Sequence, residues 1–211
     1  MIQNRPMENN FWRAVKIWDG DDVFILGGGP SLKLLDIDIG LLKNHRVVAV
    51  NCAYRLGQFE AMFFGDRQWL IDHGDGLADF GGLKVTIIKD HIGKPGIKVL
   101  KRDNSKYGIS TDPGVLRWNY NSGACAINLA VLLGAGRIIL LGFDMRKVEG
   151  RYNYHDEYSK PLKKNHDPYS RFLKSFPAIA RDLKELGIEC LNATPGSALT
   201  EFPIVELEDV I

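Results

Sequence analysis

Two histidines are the residues of this chain best suited to acid–base chemistry. His155 and His166 lie in the polar, tyrosine-rich stretch RYNYHDEYSKPLKKNHDPY, from Arg151 to Tyr169, and each is followed by an aspartate, Asp156 and Asp167. An imidazole near its ordinary pKa is the natural general base for taking a proton from a hydroxyl near neutral pH. Two His–Asp pairs could also hold a metal, but a separation of 11 residues, 155 to 166, matches no tight ligand pattern. The plain alternative is a solvated polar loop. Lys160, Lys163, Lys164 and Arg171 make this the most basic local patch. It would suit a phosphate or an acidic acceptor, although charge runs are commonly just solvated.

A second set of candidates starts at VFILGGGPSLKLL, residues 23 to 35. Gly27, Gly28 and Gly29 allow close approach to an anion, and Pro30 suits the first turn of a helix because its missing N–H needs no partner there. The N–H groups of Ser31 and Leu32, at the positive end of that helix, would then face a phosphate. A tight strand-to-helix turn is the competing reading. The dinucleotide fingerprint is not met, since Leu32 stands where its third glycine belongs and Asn51 where its ribose-binding acid belongs. A P-loop is excluded by the missing Gly-Lys-Ser/Thr.

Four further places follow expected strands or open a helix. Asn51 and Asp66 can bond a sugar hydroxyl or a base edge, or merely cap a helix. SGACA, beginning at Ser122 as the expected N-cap, offers Ser122 and Gly123 as a second anion-receiving helix start. Asp144, in GFD, directly follows a hydrophobic run, where a carboxylate is commonly functional.

The elements that must position these residues are legible as short apolar runs. Strands are expected at Val23 to Leu26, Arg46 to Val50, Ala61 to Gly65, Lys84 to Ile88, Arg137 to Gly142 and Ile188 to Leu191. RIILLG and RVVAVN are apolar at nearly every position, as parallel strands covered on both faces are. Helices are expected over Ser122 to Leu133, stopped by Gly134 and Gly136, and from Pro168 or Tyr169 to Leu186. Alternating strands and helices give a Rossmann-like, doubly wound, mostly parallel α/β sheet. Residues 89 to 121 and 143 to 167 read as irregular insertions, and such insertions are usually lids or substrate loops. We expect one domain over 1–211, with an N-terminal extension over 1–20 and a lid or acceptor loop over 143–168.

Composition narrows the class. The 211 residues carry a formal net charge of +1, so no basic field argues for nucleic acid. No stretch has signal-peptide or membrane-span character, and a cytoplasmic protein is expected. Cys52, Cys125 and Cys190 are scattered through apolar stretches and read as buried thiols of a reducing compartment. An oligomer is compatible with the sequence.

Taken together, GGGPSL after strand one, Asn51 after strand two, SGACA opening a helix and LLGFDM ending a later strand resemble a known superfamily. They look like the nucleotide-binding domain of bacterial sialyltransferases that use CMP-sialic acid. They are also similar to the related domain of 6-hydroxymethylpterin pyrophosphokinases and of proteins tied to flagellin glycosylation. Small phage and prophage proteins share the pattern together with a C-terminal N-x-T-P-G-S-A-L, here Asn192 to Leu199. The resemblance implies that Gly27, Gly29 and Ser31 contact phosphate or the neighbouring sugar, and that Asn51 reads ribose or base. It implies that Ser122 and Gly123 receive a phosphate or a carboxylate, and that His155, with His166 second, is the general base. Asp66 replaces the asparagine of the sialyltransferases, which fits a Mg-nucleoside triphosphate better than CMP-sialic acid. The resulting expectation is a transferase with a nucleotide-sugar donor. Its rivals are a Mg-dependent pyrophosphokinase with Asp66 and Asp144 on the metal, and a nucleotide-binding module without catalysis.

Overall fold

The structure is a computed structural model that describes residues 10–34, 39–155 and 167–211. Strand β1 (Asp22–Leu26) leads into a short helix, α1 (Ser31–Leu34), and β2 (Arg46–Val50) and β3 (Ala61–Phe64) follow. Helix α2 (Arg67–His73), β4 (Leu83–Thr86) and three three-residue strands come next: β5 (Ile97–Val99), β6 (Lys101–Asp103) and β7 (Val115–Arg117). Helix α3 (Ser122–Leu133), β8 (Arg137–Leu141), α4 (Tyr169–Phe172), α5 (Phe176–Glu185) and β9 (Glu189–Asn192) complete the regular elements.

Seven strands form one sheet in the order β5-β4-β3-β2-β1-β8-β9, and every pairing within it is parallel. The chain runs outward from β1 to β5 and then returns to lay β8 against the other side of β1. That reversal makes a switch point between β1 and β8, and ligands of doubly wound sheets bind outside the carboxyl ends of the strands at such a point. The α/β class expected from the sequence is the class found.

Strand pleating explains the two-sided core. Val23 and Ile25 pack into one buried cluster with α3 and α5, while Phe24 and Leu26 pack into another with Trp69, Phe64 and the C-terminal Leu207. Alternate side chains of one strand therefore bury on opposite faces. Residues Ala124 to Leu133 of α3 are buried throughout, so this helix is held by packing on all sides. The three cysteines are buried and form no disulfide among the described residues. Among the described residues no helix is long and apolar enough to cross a membrane.

Three expectations need correction. The 89 to 121 insertion is not wholly irregular: β5 extends the main sheet, and β6 pairs with β7 in a second, two-stranded sheet. Asn128 of α3 ties this region down, accepting from the N–H groups of Ser110 and Arg117 at 3.0 and 3.1 Å. Within the expected N-terminal extension, Trp18 is buried and Trp12 N–H bonds the Val99 carbonyl at 2.8 Å. The expected 168–186 helix is α4, a 3-10 turn over Leu173–Ser175, and α5. Strand ends also shift by a residue or two; β8 stops at Leu141 because Gly142, at φ 71°, turns the chain out of the sheet.

Candidate functional site

A cavity of about 620 Å³ opens at the carboxyl edge of the sheet, at the switch point. Gly27, Gly28 and Gly29 after β1, Asn51 after β2 and Asp66 after β3 border it. So do Ser122 and Gly123 at the start of α3, Asp144 after β8, and His155. Ser31 stands one step behind, bonded to Asp144. His166, with Asp156, Lys160, Lys163 and Lys164, lies outside the described residues.

The glycine loop is chiefly a packing device. Gly27 N–H bonds the Leu141 carbonyl at 2.7 Å and Gly29 N–H the Gly142 carbonyl at 2.9 Å, stitching the loop to the end of β8. A β-carbon at residue 27 would lie 2.6 Å from the Gly142 oxygen, and one at 29 would collide with the Asp144 carboxylate. The Ser31 N–H donates to Asp144 Oδ1 at 3.2 Å and its hydroxyl to Oδ2 at 2.8 Å, while Leu32 N–H bonds the Gly29 carbonyl at 3.3 Å. The expectation that the Ser31 and Leu32 N–H groups face a ligand is therefore corrected: both are already engaged. Gly28 differs, because its N–H has no hydrogen bond among the described residues and the residue borders the cavity.

Asp144 is 1 % exposed, and burial pushes its carboxyl up against the opposing hydrogen bonds from Ser31. Its backbone is braced from the C-terminal segment that the sequence shows as N-x-T-P-G-S-A-L. Thr194 Oγ1 accepts from Phe143 N–H at 3.0 Å, the Ser197 hydroxyl donates to the Phe143 carbonyl at 2.5 Å, and Ala198 N–H bonds the Asp144 carbonyl at 2.8 Å. The motif thus fixes the cavity floor, a role that its sequence did not reveal.

Helix α3 is capped by Asn121, not by Ser122 as expected. Asn121 Oδ1 accepts from the N–H groups of Gly123 and Ala124 at 2.8 and 3.2 Å. The reason is backbone state: Asn121 is extended at φ −151°, as a cap must be, whereas Ser122 is already helical. Gly123 leaves room for the Phe143 ring, which a β-carbon would approach to 2.8 Å. Ser122, as the first helical residue, has no intrahelical partner for its N–H.

Asp66 also caps a helix, its Oδ1 accepting from Gln68 and Trp69 N–H at 2.7 and 3.3 Å, but Oδ2 carries no hydrogen bond among the described residues. Asn51 has a left-handed backbone, φ 52°, and its buried Oδ1 has no partner among the described residues. Left-handed non-glycine backbone is costly and clusters at functional sites. Asp66 and Asp144, the expected metal carboxylates, both border the cavity, yet no three His, Cys, Asp or Glu side chains gather as a metal site among the described residues.

The outer walls are aromatic and cationic: Trp118, Tyr120, Tyr152, Tyr169 and Phe172, with Arg151 and Arg171. Tyr152 stacks on Tyr169 with centroids 5.7 Å apart, and Tyr169 donates its hydroxyl to the Tyr152 carbonyl at 3.0 Å. Burial pushes that phenol up, so it stays protonated. The His155 ring meets the Tyr154 ring edge-on at 4.7 Å, and Tyr154 N–H bonds the Gly28 carbonyl at 3.1 Å, which lays this segment over the glycine loop. Sequence reading missed Trp118, Tyr120 and Arg151. The alternation of Trp118 and Tyr120 immediately before a helix cap is the signal that was there to find.

The cavity lies at the carboxyl edge of a doubly wound α/β sheet, where ligands of such folds bind. No protein-family model matches the chain, and no curated protein matches it. Its fold is similar to that of the MAf glycosyltransferase from Magnetospirillum magneticum AMB-1, with a TM-score of 0.62 and 14% sequence identity, over 95% of this chain and 36% of that one. The chain thus spans about a third of the length of that protein. At this identity the likeness concerns the fold.

Proposed function

We propose that the chain is a transferase that takes its group from a nucleotide-sugar donor. The observation that carries this reading is the convergence of Gly28, Asn51, Asp66, Ser122 and His155 on one cavity at the switch point of the sheet. The shared fold of a glycosyltransferase supports it. In the proposed reaction the oxygen of an acceptor hydroxyl attacks the anomeric carbon of the donor. The bond from that carbon to the phosphate oxygen breaks, and the nucleotide leaves with the electron pair. The imidazole of His155 takes the hydroxyl proton. The N–H groups of Gly28 and Ser122 are the proposed contacts of the leaving phosphate, with Arg151 and Arg171 at the rim balancing its charge.

CMP-linked sialic acid, the donor implied by the sequence resemblance, belongs in the first panel tested. Pyrophosphoryl transfer from a Mg-nucleotide has weaker support, because one of its two candidate carboxylates, Asp144, is buried and engaged by Ser31. Incubation with CMP-, UDP- and GDP-sugars, with release of free nucleotide as the readout, tests the reading. Slow donor hydrolysis that disappears in His155→Ala is the expected result. Turnover of a nucleoside triphosphate that depends on Mg²⁺ and survives His155→Ala would replace it, and binding without any turnover would indicate a non-catalytic nucleotide module.

A further inference from the structure

One wall of the cavity is unexplained by phosphate contact or by His155. Trp118 and Tyr120 both border the cavity, and Asn119 between them is buried. Asn119 and Tyr120 are consecutive left-handed residues, φ 51° and 54°, an unfavourable state for a bulky aromatic residue. The strain is held by a two-point clamp: Asn119 Oδ1 accepts from Gly108 N–H, and its Nδ2 donates to the Gly108 carbonyl, each at 3.0 Å. Tyr120 is 41% exposed and is wedged between Tyr107 and Trp118, with centroids 6.1 and 6.4 Å away.

Trp118 is fixed just as firmly. The Arg102 guanidinium lies over its ring, 4.8 Å from the centroid, and the ring sits so close to Gly65 that a β-carbon there would be 2.6 Å away. Gly65 precedes Asp66. Trp118, Tyr120 and Asp66 all border the same cavity.

We infer that this wall is a base-recognition subsite, in which a nucleobase stacks on Tyr120 beside Trp118 while Asp66 accepts from an exocyclic amine on its edge. This rests on the nucleotide-donor reading and adds the class of base. Aromatic stacking tolerates any base, because each has a π-face. Discrimination comes from the carboxylate, which when ionised only accepts hydrogen bonds. An amine at that edge gains a charge-assisted bond. A ring carbonyl in the same place would set oxygen against oxygen, leaving both unpaired.

Calorimetric titration of the full chain with matched pairs tests this: CMP against UMP, and AMP against IMP, each pair exchanging an exocyclic amine for a carbonyl. The amine member should bind about tenfold more tightly or better. Asp66→Asn keeps an oxygen for capping α2 but presents a donor as well, and should abolish or reverse the preference. Tyr120→Ala should weaken both members about tenfold, with Tyr120→Phe restoring them. Preference for the carbonyl member, preference unchanged in Asp66→Asn, or wild-type affinity in Tyr120→Ala would overturn the inference. Equal binding within both pairs would overturn it and leave the donor reading standing, whereas no binding of any nucleotide would overturn both.

Discussion

The floor and the outer wall of the cavity are built on opposite principles. On the floor nearly every polar group is already paired: the N–H groups of Gly27 and Gly29 go to β8, Ser31 to Asp144, and Phe143 is held by Thr194 and Ser197. On the wall, Tyr120 is exposed, Arg151 and Arg171 reach the rim, and Asp66 keeps one oxygen without a hydrogen bond among the described residues. A satisfied network in a low-dielectric interior is rigid, and each of its members is costly to remove. The difference teaches that the most motif-like residues, the glycine triad and the G-F-D aspartate, mainly hold the site's shape. In the proposed reading, recognition falls to less conspicuous side chains.

Floor and wall substitutions should therefore separate stability from function. The largest effect is expected on the floor: Gly29→Ala drives a methyl into the Asp144 carboxylate and the Gly142 carbonyl, which should cost about 3 kcal/mol or more. Urea unfolding measures it, and wild-type stability would break the comparison. His155→Ala, on the wall side, should lower transfer by about a hundredfold or more while lowering the melting temperature far less than Gly29→Ala does. A matching loss of stability would move His155 to the floor class. At the boundary, Asn121→Ala removes the cap of α3 and should cost about 1 kcal/mol, with Asn121→Ser recovering most of it in the same unfolding assay.

The smallest effect sharpens the floor account through pH. Burial raises the Asp144 carboxyl above 3.8 in the folded chain, so the folded state binds this proton more tightly than the unfolded state. Its stabilising contribution is present below the ordinary carboxylate range and is lost as pH rises through the raised value. Asp144→Asn does not titrate. Its melting temperature relative to wild type should increase between about pH 4 and pH 8, and a constant or falling difference would contradict the assigned burial effect.

Much of the frame was legible because long apolar runs admit few readings. RIILL and RVVAV could hardly be anything but covered strands, and α3 ends where Gly134 takes a left-handed cap at φ 104°. The strands β5 to β7 were not legible, since three residues such as Lys101–Asp103 give no usable period. Asn121 and Ser122 are both good caps by type, and only backbone geometry separates them. The glycine loop misled in an instructive way. Residue types show that the backbone there can approach something closely, but not that Gly27 and Gly29 meet Gly142 and Asp144 while Gly28 borders the cavity. The alternation of Trp118 and Tyr120 before a helix cap is visible in the sequence, but their place in the site depends on tertiary contacts, of Trp118 with Gly65 and of the intervening Asn119 with Gly108.

The most direct test of the central claim is the melting temperature of the full chain against nucleoside mono- and diphosphates and their sugar conjugates. A ligand of the folded state held about a hundredfold above its dissociation constant stabilises by roughly 2.7 kcal/mol. For a chain of this size that is a rise of roughly 5–10 °C. At least one nucleotide should give such a shift, and its sugar conjugate should match or exceed it. If none raises the melting temperature, the cavity at the carboxyl edge of the sheet is not a nucleotide site.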